Sequence, residues 1–393
     1  MFSRSRTWAT ALALGLLAVV FTTSYLGAFL DPSANTKDLP IALVNQDKGD
    51  LGHRLSVGIT GENGDGAVRW TTTDSAEEAR ELLKDGTVYA AVEIPADFSA
   101  RVQALNAAAS ANDGTGTATR PVLTVLTQPA VGPMAVGAAQ GAATTAASGA
   151  SRQLGASLLR PDATPVQKLL LQDPVRAEVR EFRALPAQSA KGLAAFYVPL
   201  VLVVVSLMGA TAVGAAVGRS PLTAASGARA GSPLRTKAAL MLATSALITA
   251  GTLITAVAVL DLPAPHVTHL ALLAFGISAA VGLLMLALTE LLGLLAIPFG
   301  MIGFIVLGIP TSGGPYPMEM VPGTFRVLSH GLPLHHWVAG VRSLLYYDAS
   351  GAAGATAAWT AVAGCLALAG VLISAARWRS RTGHAVDSAP TAL

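Results

Sequence analysis

The sequence predicts a polytopic α-helical membrane protein of about six spans, with an extracytoplasmic α/β domain inserted between spans 1 and 2. Hydrophobic residues make up 52% of the 393-residue chain and charged residues only 12%, about half the charged fraction of soluble domains. Several apolar runs are long enough to cross about 30 Å of hydrocarbon. Between the first two runs, short β-branched segments alternate with helical patterns, as in an α/β domain.

The first predicted span is an N-terminal signal-anchor over residues 1–30. Arg4 and Arg6 precede an apolar run over residues 8–30, which is longer than the h-region of a cleaved secretory signal peptide. We therefore expect the run to remain as a membrane anchor, with cleavage after it as the alternative.

The predicted α/β domain covers residues 31–190. Asp74 is the predicted N-cap of a helix ending at Lys84, because Glu77 follows three residues later as in a capping box. A second helix is predicted over residues 96–109. The strands are predicted from short β-branched runs bounded by turn residues, at 41–45, 68–72, 88–94 and 121–126.

Residues 131–159 consist mainly of Ala, Gly, Ser and Thr. This composition allows two interpretations, a low-complexity linker or a long helix. We favour the helix, because small residues let it lie close to a neighbour. Its apolar anchors would be Met134, Val136, Leu154 and Leu158.

Residues 191–310 form a predicted block of four further spans, and residues 353–376 form the last span. The four spans are 193–217, 238–260, 270–288 and 291–309. One loop carries a basic cluster without an acid, and residues 377–393 form a basic tail. Since basic segments stay on the cytoplasmic side, both termini are predicted to be cytoplasmic. The protein itself is predicted to lie in the cell membrane, with the α/β domain outside the cell. The basic cluster consists of Arg219, Arg229, Arg235 and Lys237.

Residues 311–352 form a predicted Pro/Gly-rich loop at the outer membrane surface. They are too polar for a span and too apolar for an ordinary linker. Irregular backbone at a bilayer is tolerated only where protein or water satisfies it. We expect short helices over 322–330 and 334–346, with Trp337 in the outer leaflet and Tyr346 and Tyr347 at the headgroups.

We interpret this loop as a gate over the outer end of the helix bundle. Arg342 has two expected roles, because its long side chain could reach the lipid headgroups or pair with Glu319. The candidate gate residues are Gly313, Gly314, Pro315, Pro317, Glu319, Pro322 and Arg342.

The sequence argues against several classes of chemistry. It contains no G-x-x-x-x-G-K-[ST], no H-E-x-x-H and no G-x-S-x-G, so we expect no enzyme activity, no ATPase within the chain and no cofactor. The one cysteine, Cys365, lies in an apolar run. Adjacent His335 and His336 would point about 100° apart on a helix, which disfavours a shared metal. The basic charges are scattered over separate loops, so no nucleic-acid partner is expected.

Three stretches resemble the YhgE/Pip (phage infection protein) family, a branch of the ABC-2 type membrane proteins. PIALVNQDKGDLG contains the motif positions Asn45, Asp47, Lys48 and Gly49. LLKDGTVYAAVEIPADFSARV contains the motif positions Pro95, Asp97, Phe98 and Ser99. PTSGGPYPMEMVPGTFRVLSHGLPLHHWVAGVRSLLY contains the candidate gate. The resemblance covers nearly the whole chain.

The resemblance implies the permease subunit of an ABC-2-type exporter that works in membrane lipid with a separate ABC ATPase. A homodimer, or a heterodimer with a related permease, is expected. The expected cargo is an amphipathic or lipid-like molecule moved outward. The alternative is a non-transporting surface protein whose outer domain serves secretion-machine assembly, envelope binding or phage reception. The expected ATPase-docking residues are Arg219, Arg229, Arg235, Lys237 and Glu290.

The chain departs from that family in lacking a long coiled-coil insertion and in carrying HHW at residues 335–337, where a TYA-like tripeptide is common. The motif residues also have a structural explanation. Residues 45–49 fit a strand end and a polar turn, so substrate contact by Asp47 and Lys48 is a secondary hypothesis. Glu290 has two interpretations, a functional intramembrane acid or a solvated turn residue, and we favour the turn.

Overall fold

The computed structural model describes residues 4–61, 66–111, 119–218 and 232–387. The chain forms two units, Asp31–Ala187 and the combination of Met1–Leu30 with Gln188–Leu393. The first unit is therefore inserted into the second, between its first and second helices.

The first helix, α1 (Arg4–Phe29), begins the second unit. Its Ser24 Oγ donates a hydrogen bond of 2.6 Å to the carbonyl of Val306. Val306 ends a π-helical turn, Ile302–Val306, where the ordinary α-helical carbonyl pairing is displaced by one residue. A small hydroxyl on α1 thus binds a main-chain acceptor on another apolar helix.

The inserted unit is built on a five-stranded sheet of order β2-β1-β3-β4-β5. Strand β1 runs parallel to β2 and β3, β4 is antiparallel to β3, and β5 is parallel to β4. The four predicted strands are confirmed within two residues at each end. The strands are β1 (Leu39–Asn45), β2 (Val68–Thr73), β3 (Ala90–Ile94), β4 (Val122–Thr127) and β5 (Arg176–Glu181).

Strand β5 was not predicted from the sequence. Its residues, RAEVRE, are mostly exposed, so neither an apolar run nor an alternating pattern marks it as a strand. Main-chain pairing with β4 over its whole length defines it instead.

Helices cover both faces of this sheet. Alternate residues of a strand point to opposite faces, and Ile41 joins a core with α2 and α5, whereas Ala42 joins a core with α3. The helices of this unit are α2 (Asp50–Gly61), α3 (Ala76–Lys84), α4 (Phe98–Ala111), α5 (Pro133–Leu158) and α6 (Pro165–Leu171).

The helix predicted to begin after Asp74 begins one residue later. Ser75 is the N-cap of α3, and its hydroxyl accepts a 3.2 Å hydrogen bond from the main-chain N–H of Glu77. The predicted end at Lys84 is confirmed, since Gly86 follows with φ +68°, a left-handed conformation that suits glycine.

The small-residue stretch forms helix α5 and not a linker. Its buried alanines belong to the core formed with the sheet and α2, and Ala139 and Ala143 are fully buried. Side chains of this size let the helix axis lie close to the strands.

The remaining elements belong to the second unit. They are α7 (Ala194–Gly218), α8 (Ser232–Leu253), α9 (Val267–Leu292), α10 (Ala296–Met301), α11 (Gly323–Ser329), α12 (Pro333–Tyr346) and α13 (Thr356–Asp387). Helix α9 is largely buried and packs against α7, α8 and α13. The other helices therefore surround α9.

In the described part of the chain, 4 helices are long and apolar enough to cross a membrane. They are Ala194–Val217, Leu234–Val259, Val267–Leu292 and Gly351–Ala375. Gly15–Phe29 and Ala296–Val306 are shorter apolar helices. A count of six spans, which needs both shorter helices, stays a prediction.

The span predicted over residues 291–309 differs most from the structure. Helix α9 continues to Leu292, and Gly293 then turns the chain with φ +62°. A 3-10 turn, the short helix α10 and the π-helical turn follow. The apolar run is continuous in sequence, but Gly293 and Pro298 interrupt the helix geometry.

Candidate functional site

The candidate gate begins with a tight, buried turn. Thr311 and Ser312 are 0% and 1% exposed, and Gly313 has φ +67°. The Ser312 hydroxyl accepts a 3.1 Å hydrogen bond from the Gly314 N–H and donates one of 2.7 Å to the carbonyl of Ile309. The turn therefore satisfies its own polar groups, as buried irregular backbone must.

Two aromatic side chains from other helices hold this turn in place. Gly314 lies against the ring of Phe196 at the start of α7, so closely that a Cβ at this position would overlap the ring. Tyr316 stacks on Phe29, the last residue of α1, with ring centroids 4.9 Å apart. The loop thus contacts the ends of α1 and α7.

Arg342 on α12 binds the same turn. Its Nη2 donates a 3.0 Å hydrogen bond to the carbonyl of Gly313, while its Nε is buried without an acceptor among the described residues. The pairing with Glu319 expected from the sequence stays a prediction, since the contact described for Arg342 is with the Gly313 carbonyl. This hydrogen bond shows that the turn folds back onto α12.

Arg326 orders the rest of the loop and was not identified from the sequence. Its Nε donates to the Met318 carbonyl at 3.2 Å, and its Nη2 donates to the Glu319 carbonyl at 3.1 Å. Pro317 and Pro322 are the residues before the 3-10 turn at 318–320 and before α11. The sequence feature that could have identified Arg326 is its position as a basic residue seven positions after Glu319 in the same loop.

The predicted membrane contacts of Trp337, Tyr346 and Tyr347 were wrong. These side chains are 0%, 9% and 4% exposed, because α12 packs against α7 and α13. Trp337 stacks parallel to Phe304 with centroids 6.1 Å apart. Burial raises the pKa of each tyrosine to about 12. The short helices predicted over 322–330 and 334–346 are confirmed as α11 and α12.

His335 lies beside the gate turn, with Gly313 near its ring. Burial, together with the positive charges of His336 and Arg342, lowers its pKa to about 4. His335 and His336 have ring centroids 5.4 Å apart, and no group of His, Cys, Asp or Glu suitable for a metal occurs within the described ranges.

Two of the expected docking residues meet at one end of the bundle. Lys237 Nζ lies 2.5 Å from Glu290 Oε1, with side chains 17% and 33% exposed. Lys237 is in the first turns of α8 and Glu290 is near the end of α9, so the pair joins two apolar helices. The turn residue expected at Glu290 is therefore a helical, ion-paired acid. Arg235 is exposed nearby, while Arg219 and Arg229 lie outside the described residues.

The two motifs of the inserted unit meet in a buried cluster. Ser99 Oγ donates a 2.5 Å hydrogen bond to Asp47 Oδ2, which also accepts one of 3.1 Å from the Gly52 N–H at the start of α2. A side chain at Gly49 would overlap Ser99. The polar atoms of this cluster are already paired, which favours the structural explanation of the motifs over substrate contact.

The other motif positions support the same explanation. Asn45 Oδ1 accepts from the Asp47 N–H at 3.1 Å, whereas Lys48 is exposed. Phe98 is fully buried next to Pro95. Asp97 accepts a 2.7 Å hydrogen bond from Arg101, which lowers the pKa of the carboxyl.

A family model described as "ABC-2 family transporter protein" matches residues 6–376, nearly the whole chain. No curated protein and no solved structure matches the chain.

Proposed function

Because the chain belongs to the ABC-2 family of transporter membrane proteins, we propose that it is the permease subunit of an exporter whose ATPase is a separate chain. The family match across residues 6–376 carries this proposal. The missing P-loop sequence and the apolar bundle of α7, α8, α9 and α13 support it. We place the protein within the YhgE/Pip branch on the three motif stretches.

Six spans are the proposed topology, with both termini cytoplasmic. The bond from Ser24 to the Val306 carbonyl supports counting α1 and the broken helix around α10 as spans. Pro310, four residues after Val306, has no N–H to donate to that carbonyl, and a carbonyl without a helical partner needs another donor in hydrocarbon. The basic stretch around Arg235 and Lys237 would be cytoplasmic. The inserted unit and the loop 311–322 would then be outside.

The gate turn would close the outer end of the pathway. Gly314 rests on Phe196, Tyr316 rests on Phe29, and Arg342 binds the Gly313 carbonyl. These contacts tie the turn to α7, α1 and α12 respectively. A shift of α7 relative to α12 would break at least one of them, so the turn couples helix movement to opening.

The Lys237–Glu290 pair and Arg235 would form the docking surface for the ATPase. The pair fixes the ends of α8 and α9 against each other, so a force applied there would reach the buried helix α9. ABC-2 permeases work in pairs, and a homodimer or a heterodimer with a related permease would form the pathway between two bundles.

An amphipathic or lipid-like molecule is the proposed cargo. A groove of about 500 Å³ lies between α8 and α9, lined by apolar side chains such as Leu253, Ile254 and Phe275. The Thr249 hydroxyl in its lining is buried, with no hydrogen-bond partner in the part of the chain that the structure describes. An apolar groove with one polar contact suits an acyl chain better than a hydrophilic solute.

Co-purification with the ATPase encoded nearest to this chain tests the proposal. We expect a complex in which the permease changes ATP turnover, and an Arg235→Glu variant that weakens this change. A stable, correctly folded permease that forms no complex and leaves ATP turnover unaltered would contradict it.

The second candidate is a surface protein whose inserted unit binds an envelope polymer, a secretion machine or a phage. The separate core of that unit favours it. Deletion of the partner ATPase distinguishes the candidates, because only the exporter would lose its activity.

A further inference from the structure

A groove lies between helices α2 and α5 of the inserted unit. Its volume is about 1030 Å³, at the upper end of ordinary ligand pockets. Helix α2 contributes His53, Arg54, Val57, Gly58 and Gly61, and α5 contributes Ala150, Gln153, Leu154 and Ser157.

Small residues open this groove. A Cβ at Gly58 would lie 3.0 Å from the Ala150 Cβ, so the two helices touch there. At Gly61, one turn further, a Cβ would have no heavy atom within 4 Å. The helices therefore cross at Gly58, and no atom of the described residues occupies the space where a Gly61 side chain would begin.

The lining has a definite chemical character. His53 and Arg54 are basic, and no acid of the described residues belongs to the lining. Asp50, one helical turn before Arg54 on α2, lies outside the lining. Val57, which is 56% exposed, and Leu154 form the apolar side of the groove. A basic end beside an apolar wall complements an amphipathic anion.

We infer that this groove binds a single-chain amphipathic anion. The carboxylate or phosphate head contacts Arg54 and His53, because a guanidinium forms strong charge-assisted bonds with such groups. Gln153 and Ser157 offer further hydrogen bonds from α5, and the chain lies along Val57 and Leu154. This binding does not depend on transport, so its failure would leave the permease proposal intact.

Photolabelling of the full-length protein in phosphatidylcholine nanodiscs tests the inference. The probe is a diazirine-bearing lysophosphatidate, and the matched probe is the neutral monoacylglycerol with the same chain. We expect the anionic probe to label peptides of α2 and α5 about tenfold more than the neutral probe. Equal labelling by both probes, or labelling only in the apolar helices, would overturn the inference.

Two variants with matched controls assign the labelling to the groove. Gly61→Leu fills the empty space and abolishes labelling, and Arg54→Gln reduces it about tenfold. Gly141→Leu, equally open but on another part of α5, and Arg152→Gln, outside the lining, leave labelling unchanged. If Gly61→Leu lowers the melting temperature, its loss of labelling could come from unfolding, and the labelling of Arg54→Gln then provides the test. Undiminished labelling of Arg54→Gln refutes the site.

Discussion

Gly314 shows how one missing side chain sets the position of the gate turn. A Cβ there would overlap the Phe196 ring, whereas Gly323, in the same loop region, has open space. The two glycines therefore serve different purposes, although both belong to one Pro/Gly-rich stretch.

Gly314→Ala is expected to destabilise the second unit by about 1–3 kcal/mol through overpacking. Thermal unfolding of the purified protein measures this, with Gly323→Ala as the control that stays near wild type. Adding Phe196→Leu to Gly314→Ala should recover part of the loss, because the smaller side chain removes the overlap. Additive losses in the double variant would contradict this packing.

We expect His335 to make the stability of the candidate gate dependent on pH. Its folded-state pKa is about 4, below the ordinary value of about 6.5, so the folded protein favours the neutral ring. Between these values the unfolded chain binds a proton that the folded chain does not, and stability therefore falls as the pH is lowered.

The expected loss between pH 7.5 and pH 4 is at most about 3 kcal/mol. Melting temperatures of the wild type and His335→Gln, measured across this range, provide the test. The variant should lose less stability than the wild type on acidification, and His330→Gln, at an exposed position, should behave like the wild type. Parallel curves for the wild type and His335→Gln would exclude this role.

At the scale of elements, the Lys237–Glu290 pair joins the beginning of α8 to the end of α9. Exposed ion pairs contribute about 0–1 kcal/mol, and this pair is partly buried, which favours the upper end of that range. The neighbouring Arg235 is exposed, so its charge is available to a partner.

Lys237→Glu and Glu290→Lys should each lower the melting temperature, because each places like charges side by side. The double swap should recover most of the loss. Arg235→Glu serves as the control, with unchanged stability and reduced stimulation of the ATPase. A double swap as unstable as the sum of the single variants would show that the pair does not link the helices.

At the scale of the whole molecule, the proposed topology places the inserted unit and the gate loop on one side of the membrane and Arg235 on the other. The single Cys365 allows a cysteine-free background through Cys365→Ser. Lys37, His330 and Arg235 are exposed and suit cysteine substitution.

In intact cells, a membrane-impermeant maleimide should modify Lys37→Cys and His330→Cys. Arg235→Cys should react only after permeabilisation, because basic loops remain cytoplasmic. Modification of Arg235→Cys in intact cells would overturn the six-span arrangement.

Local pattern alone determined much of this protein. Short β-branched runs bounded by turn residues predicted β1 to β4, and the small-residue composition of residues 131–159 favoured α5 over a linker. The Pro/Gly-rich loop was expected to contain α11 and α12. These signals depend on neighbouring residues. Strand β5 carries no such signal, and the break at Gly293 lies within a continuous apolar run. A hydropathy profile depends only on which side chains are present, so it carries no information on where the backbone of an apolar run leaves the helical conformation.

Tertiary structure decided which candidate residues meet. It brought Asp47 to Ser99 and Lys237 to Glu290, and it gave Arg342 a main-chain acceptor at Gly313. It also buried Trp337, Tyr346 and Tyr347, which the amphipathic pattern placed in lipid. An apolar helix face looks the same in sequence whether protein or lipid covers it, because both are equally apolar, and only packing between distant segments distinguishes them.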